Sequence, residues 1–248
     1  MAEHARALGL EPGDPIQVDD HYETKCELIR ELRPDVVSFA FGLPRADVVD
    51  AFHTAQIPVV VTVESVAEAA GVDAPVLQGY EAGGHRGGFD DDGADGLALL
   101  SLLRLTSTSV DIPLIAAGGL ADGAGVATVL AAGASAAMLG TAFLRCPEAG
   151  TTRVHADSLA SERPTVVTRA FTGRSARAID NAFTDRFTDS APSAYPEIHY
   201  LTSPIRARAR QTGDAENLNL WAGQAHTLAN EAPAGRLVRQ LAGRSAHA

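Results

Sequence analysis

The sequence is poor in the features that mark several large functional classes. Its two cysteines, Cys26 and Cys146, have neither metal-ligand spacing nor a disulfide framework around them, so each reads as a small buried or half-buried side chain. No run of eighteen apolar residues exists, which argues against a membrane-spanning helix. The opening Met1-Ala2-Glu3-His4-Ala5-Arg6 lacks the apolar stretch of a secretory signal, and the expected compartment is the cytoplasm. Positive charge is also short, since 20 Lys and Arg against 31 Asp and Glu leave a net charge of −11. Proteins that grip a phosphate backbone need clustered Lys and Arg, so neither nucleic acid nor membrane is an expected partner. No Walker lysine, no glycine fingerprint of a dinucleotide fold, no repeat and no low-complexity segment is found. His53, His155, His199 and His226 show no metal-ligand pattern and read as structural or surface groups.

What is present is a chain of 248 residues, 46% hydrophobic, with mean hydropathy near zero. That is enough to bury a sizeable core as a single domain. Residues 1–34 read as a helical lead-in, with Tyr22, Cys26, Ile29 and Leu32 on one face. Strand and helix then alternate. Asp35 to Phe41 reads as a buried strand leaving through Gly42-Leu43-Pro44, with Pro44 suited to a first helical position, and Val48, Val49, Phe52 and Ala55 recur at helical spacing. Pro58 to Val63 and Pro75 to Gln78 are the second and third strands. The polar Asp90-Asp91-Asp92-Gly93 turn precedes a helix marked by Ala94, Leu97, Leu100 and Leu103. Ile112 to Ala117 is a fourth strand ending in Gly118-Gly119; a helix over Gly125 to Ala132 stops at Gly133, and Ala136 to Thr141 is the fifth strand. Continuous apolar strands separated by single helices predict a parallel sheet covered on both faces. The neighbouring glycine-bearing strand ends Gly118-Gly119 and Gly140-Thr141 favour a TIM-barrel (β/α) geometry over an open sheet. We read 35–146 as a partial barrel of about five of eight strands, and 147–248 as a helical C-terminal extension packed on it, making a single domain overall. Leu237, Val238 and Leu241 mark its last amphipathic helix.

The most informative stretch is Gln78 to Gly87, a glycine-rich, charged loop directly after a strand. Gly83 and Gly84 let backbone amides approach a flat or anionic ligand, and His85 sits where such folds place chemistry, as a group that accepts a proton or holds an anion. Gln78 offers both a donor and an acceptor to the edge of a heterocycle. Glu81 and Arg86 suit either an ion pair bracing the loop or substrate contact. Amides at Gly118-Gly119 and Gly140, with the Thr141 hydroxyl, can enclose one phosphate, and a monophosphate is the natural guess. Trp221 reads either as a core anchor or as a pocket wall.

These segments together resemble the nitronate monooxygenase family, formerly called 2-nitropropane dioxygenases, which are FMN-dependent TIM-barrel enzymes. Ser38 to Pro44, Gln78 to Gly87, Pro113 to Gly119 with Ala121-Asp122-Gly123, and Met138-Leu139-Gly140-Thr141 are similar to its successive strand-end motifs. Thr168 to Arg174 and Leu220 to Gln224 are similar to its C-terminal part, so the resemblance runs from about residue 14 onward. It implies FMN as cofactor, contacted by Gln78, Gly83, Gly119, Met138, Leu139, Gly140 and Thr141 with Gly118 nearby, and His85 over the flavin beside the substrate. It also implies oxidation of a small anionic nitronate by O2 to a carbonyl compound and nitrite.

Two departures accompany the resemblance. The family's first three barrel strands have no counterpart, so the chain reads as a barrel without its N-terminal part, and five strands are expected to leave two open edges through which chains can self-associate. The crossover from Glu64 to Ala74 is short, with room for a helix of about six residues, or ~9 Å against ~16 Å for a five-residue strand. A flavin-dependent enoyl reductase of the same barrel type, and a non-catalytic remnant, are the alternative readings.

Overall fold

The computed structural model of the chain describes residues 1–69, 72–91 and 96–245. Among them are the strands β1 (Val37–Phe39), β2 (Val59–Val63), β3 (Ala74–Gln78), β4 (Gly84–His85), β5 (Ile115–Ala117), β6 (Ala136–Met138), β7 (Thr165–Thr168) and β8 (Ala176–Ile179). The helices are α1 (Ala2–Ala7), α2 (Tyr22–Leu32), α3 (Ala46–Thr54), α4 (Leu99–Ser107), α5 (Gly123–Ala131), α6 (Arg153–Leu159), α7 (Ala182–Phe187), α8 (Glu197–Thr212) and α9 (Ala234–Ser245). β1, β2, β3, β5 and β6 pair in that order, all parallel. The order follows the chain without reversal. A doubly wound sheet reverses at a switch point, whereas a (β/α) barrel does not, so this sheet is a five-strand arc of barrel type.

Valines and leucines at alternating sheet positions bury one face under the helices. Val59, Val61, Val63, Leu77 and Ala116 meet Phe52 of α3, Leu102 and Leu103 of α4, and Val129 of α5 in the largest core cluster. The opposite face carries a smaller cluster of Val60, Val76 and Ala117. In the lead-in, Tyr22, Cys26 and Ile29 of α2 pack against the large cluster, while Leu32 points outward at 70% exposure.

Several expected boundaries shift, for local reasons. Phe41 takes a positive φ of 70°, outside the strand region, and the strand it was expected to close ends at Phe39. Arg45 caps α3, which puts Pro44 before the cap rather than at the first helical position. Pro113 has no N–H to donate to a ladder, and β5 starts two residues later at Ile115. The Asp122 carboxylate accepts from the Gly125 N–H at 2.8 Å, which starts α5 at Gly123. β6 stops at Met138 because Thr141–Phe143 turns into a 3₁₀ helix. The crossover after β2 holds a 3₁₀ turn at Ala67–Ala69 in place of the expected six-residue helix, with residues 70 and 71 outside the described ones. The Asp92-Gly93 part of the expected turn and Ala94 also lie outside the described residues.

Beyond residue 147 the chain adds a second sheet that the sequence reading did not anticipate. β7 and β8 form an antiparallel hairpin, and β8 pairs on its other side with β4, so His85 lies opposite Ala176. The tail also supplies apolar clusters of its own. Leu159, Ile179, Leu218 and Leu220 form one, and Phe171, Phe183 and Ile205, joined by Ala5 of α1, form another. α9 lays Leu237 and Leu241 against Val126 of α5, with Val238 exposed.

Candidate functional site

At the C-terminal ends of β3, β5 and β6 the sheet opens into a cavity of about 250 Å³. Gln78, Gly83, Gly118, Gly119, Met138, Leu139, Gly140 and Thr141 all line it, and these are residues singled out from the sequence. Gly84 and His85 of β4 do not line it. Ala82, Ala117, Leu120, Ala121, Gly223 and Ala225 complete the wall. Gly223 and Ala225 come from a segment more than eighty residues beyond Thr141. The sequence signal for them is the small pair Ala222-Gly223 after Trp221, within the segment that resembles the family's C-terminal part.

The glycines are required by the backbone. Gly118 and Gly119 have φ of +104° and +67°, and a Cβ at Gly118 would stand 2.9 Å from the Ala82 Cβ. This tight turn aims the strand end back over the cavity. A Cβ at Gly83 would fall on the Ala222 carbonyl carbon and the Gly223 nitrogen, so Gly83 permits the loop to touch the tail segment. The Gly223 N–H donates to the Thr141 Oγ1 at 2.9 Å. That leaves the hydroxyl hydrogen of Thr141 free to point at a ligand oxygen. A Cβ on Gly140 meets nothing within 4 Å, and the first turn beyond it presents N–H groups without intrahelical acceptors.

Gln78 is engaged by its own loop rather than left for a ligand alone. Its Nε2 donates to the His85 carbonyl at 3.1 Å and its Oε1 accepts from the Gly87 N–H at 2.9 Å. Of the two readings for Glu81 and Arg86, the ion pair between them is not formed. The Glu81 carboxylate accepts from the Leu99 N–H at 3.0 Å and caps α4, while the buried Arg86 pairs with Glu64 at 3.1 Å and donates to the Gly79 carbonyl. Burial pushes the Glu64 carboxyl above its ordinary range, opposed by Arg86 beside it.

His85 lies two residues from the cavity wall, in an aromatic setting. Its ring centroid is 6.1 Å from that of Phe41, 5.7 Å from Tyr195 and 5.4 Å from Trp221. Its Nε2 is 2.9 Å from the Thr172 Oγ1. Trp221 also stands edge-on to Phe171 at 5.7 Å, so one indole serves both the tail core and the wall beside His85. Burial, followed by the nearby Arg174, His199 and Arg206, lowers the His85 pKa to about 4. This is well below the near-neutral value of a free imidazole, because desolvation and like charge both disfavour the protonated ring. At pH 7 His85 is neutral. Of the other histidines, His226 is buried between the carbonyls of Leu159 and Arg163, and His53 forms an exposed pair with Asp73. Among the described residues no group of three or more His, Cys, Asp or Glu is arranged to hold a metal ion. No helix among them is long and apolar enough to cross a membrane.

The nitronate monooxygenase family model matches residues 1–243. The chain belongs to the nitronate monooxygenase family. A nitronate monooxygenase from Paraburkholderia phytofirmans is 40% identical over 258 aligned positions, covering 97% of this chain and 70% of its own length. Among solved structures, a nitroalkane oxidase from Streptomyces ansochromogenes superposes with a TM-score of 0.95 at 46% identity, over 99% of this chain and 74% of its own. FabK from Thermotoga maritima superposes with a TM-score of 0.74 at 27% identity, over 90% and 72%. Membership of this family makes the chain an oxidoreductase of TIM-barrel type, and its arc of five strands corresponds to part of that barrel.

Proposed function

We propose that this nitronate monooxygenase family member binds FMN in the cavity at the ends of β3, β5 and β6 and oxidises small alkyl nitronates with O2 to a carbonyl compound and nitrite. The observation that carries this reading is the convergence on one cavity of Gln78, Gly83, Gly118, Gly119 and the Met138 to Thr141 turn, with no Lys or Arg side chain in its wall. Such a wall suits a ligand whose charge is confined to one terminal phosphate and whose remainder is flat and largely apolar. Backbone N–H groups at Gly119 and Gly140 and the Thr141 hydroxyl would hold the phosphate, and Ala82, Ala117 and Met138 would flank the rest. The group supplies, when bound, the redox chemistry that amino-acid side chains lack.

The chain's own residues position the substrate. Phe41, Tyr195 and Trp221 surround the His85 ring with aromatic surface that would accept an alkyl group, while His85, neutral when the site is empty, provides the one titratable nitrogen among them. The free edges of β1 and β6 are where we place any self-association, and the two unpaired cysteines fit the cytoplasm. Mass spectrometry of the released cofactor, with nitrite release and O2 uptake on the anion of 2-nitropropane, tests the proposal. Stoichiometric FAD or a nicotinamide dinucleotide would remove the cofactor assignment. Nicotinamide oxidation with an enoyl thioester and no nitrite from the nitronate would favour the enoyl reductase.

A further inference from the structure

We propose that Thr172 is a positioning residue that fixes the tautomer of His85, holding Nε2 as the N–H and leaving Nδ1 as the acceptor offered to the substrate. This rests on the reading of His85 as the substrate-facing group. The Thr172 side chain is 2% exposed, and its Oγ1 has two neighbours: His85 Nε2 at 2.9 Å and the Arg174 carbonyl at 3.3 Å. A hydroxyl has one hydrogen. The carbonyl can only accept, so when the hydroxyl donates to it, the Thr172 lone pair is available to His85 and Nε2 must carry the proton. Both hydrogen bonds are then made. In the opposite arrangement the hydroxyl donates to Nε2, the Arg174 carbonyl loses this donor, and the ring proton moves to Nδ1, which has no partner among the described residues. A buried polar group left unsatisfied is costly, and the count of bonds selects the first arrangement.

The surroundings hold this geometry from both sides. His85 is tied into the second sheet by its pairing with Ala176, by the Arg86 N–H donating to the Ser175 carbonyl at 2.8 Å, and by Gln78 on its own carbonyl. Thr172 follows Phe171, which stacks on Phe183 at 4.5 Å, and precedes Gly173, whose φ of +84° returns the chain toward Arg174. The Arg174 guanidinium in turn donates to the Arg86 carbonyl at 2.9 Å, closing the loop between the two segments. The β-branched threonine has little χ1 freedom to lose, which serine does not share.

The test is the tautomer itself, read in protein carrying ¹⁵N-labelled histidine through two-bond ¹H–¹⁵N spectra, with His85 identified as the signal lost in His85→Asn. Wild type is expected to show Nε2 protonated and Nδ1 bare. Thr172→Val should give a mixture of tautomers and lower kcat on the anion of 2-nitropropane about 10–100-fold, by analogy with the hydrogen-bond partners that orient metal-ligating histidines, with KM within about twofold. Thr172→Ser should restore the wild-type tautomer and most of kcat. A wild-type ring protonated at Nδ1, or a Thr172→Val protein with unchanged tautomer and kcat, overturns the inference. Wild-type protein with the expected tautomer but no nitronate turnover upholds the tautomer assignment and overturns the functional reading instead.

Discussion

The parallel arc and the tail that closes over it are built by opposite means. The arc buries apolar side chains, and Thr106 is the only buried polar residue it contributes among the described ones apart from Arg86 in the loop after β4. The tail buries Thr168, Thr172, Ser175, Arg177, Asn181, Thr184, Thr202, Arg206 and His226. These groups are hydrogen-bonded. Arg177 donates through Nε and Nη2 to the Tyr80 carbonyl at 3.1 and 2.8 Å, and Asn181 forms a capping box on α7 while donating to the Ala215 and Leu218 carbonyls. The arc is therefore stabilised by area and packing, which tolerate conservative exchange. The tail is stabilised by satisfied polar groups, each of which becomes a penalty when its partner goes. The cavity lies on the seam, so it takes its walls from the arc and its lid residues Gly223 and Ala225 from the tail.

The largest effect that sharpens this contrast is expected at Phe52 of α3, fully buried against the arc. Phe52→Ala should cost about 3–5 kcal/mol in denaturant unfolding, while Phe52→Leu costs much less. Equal costs for the two would mean that the arc is not held by packing volume. Next comes the pH dependence of the seam. His85 is about 4 when folded against 6.5 ordinarily, so the unfolded chain binds the extra proton between those values and stability falls as pH drops from 6.5 toward 4. The loss is at most about 3 kcal/mol from the shift, at 1.36 kcal/mol per pH unit. Asp91, lowered to about 2 with Arg169 and Ser175 opposing its burial, adds a separate loss between about 3.8 and 2. Glu64, raised by burial, works in the opposite direction. Unfolding measured across pH 4–7 should show a slope that flattens in His85→Asn; an unchanged slope would place the titration elsewhere.

Third is Arg177→Met, which keeps the length of the side chain but strands the Tyr80 carbonyl. The expected cost is about 1–3 kcal/mol, and no measurable loss would dissolve the distinction between arc and tail. Gly83→Ala follows, at about 1–3 kcal/mol of overpacking, with a disproportionate fall in bound cofactor because the new Cβ pushes the tail segment off the cavity. Retained cofactor with lost stability would show that the seam is not part of the site. Smallest is Arg153→Ala, which removes an exposed pair with Asp157 on α6 and should leave the unfolding midpoint unchanged.

The arc was legible because its strands are short apolar runs bounded by Gly and Pro. Each of the five expected strands is found, and the clearest shortenings fall where the turn at Phe41, Pro113 or the 3₁₀ turn at Thr141 sets a local boundary. The cavity was legible for a related reason: Gly118-Gly119 and Gly140-Thr141 stand at strand ends, and strand ends of a parallel sheet converge. The tail was not. Thr165–Thr168 and Ala176–Ile179 lack the apolar alternation that announces a strand, since Arg177 is buried by its hydrogen bonds rather than by its composition. Glu81 and Arg86 are five apart and of opposite sign, yet each found a different partner in space.

The sequence by itself determined the parallel arc, the family resemblance and the strand-end residues Gln78, Gly118, Gly119 and Met138 to Thr141 that line the cavity, because local periodicity and glycine placement specify where each strand ends. Only the tertiary structure decided that His85 joins a second sheet, loses its charge and meets Thr172 eighty-seven residues away. Those outcomes depend on desolvation and on which polar groups meet when the tail closes over the loop, and neither quantity is written in the spacing of residues along a chain.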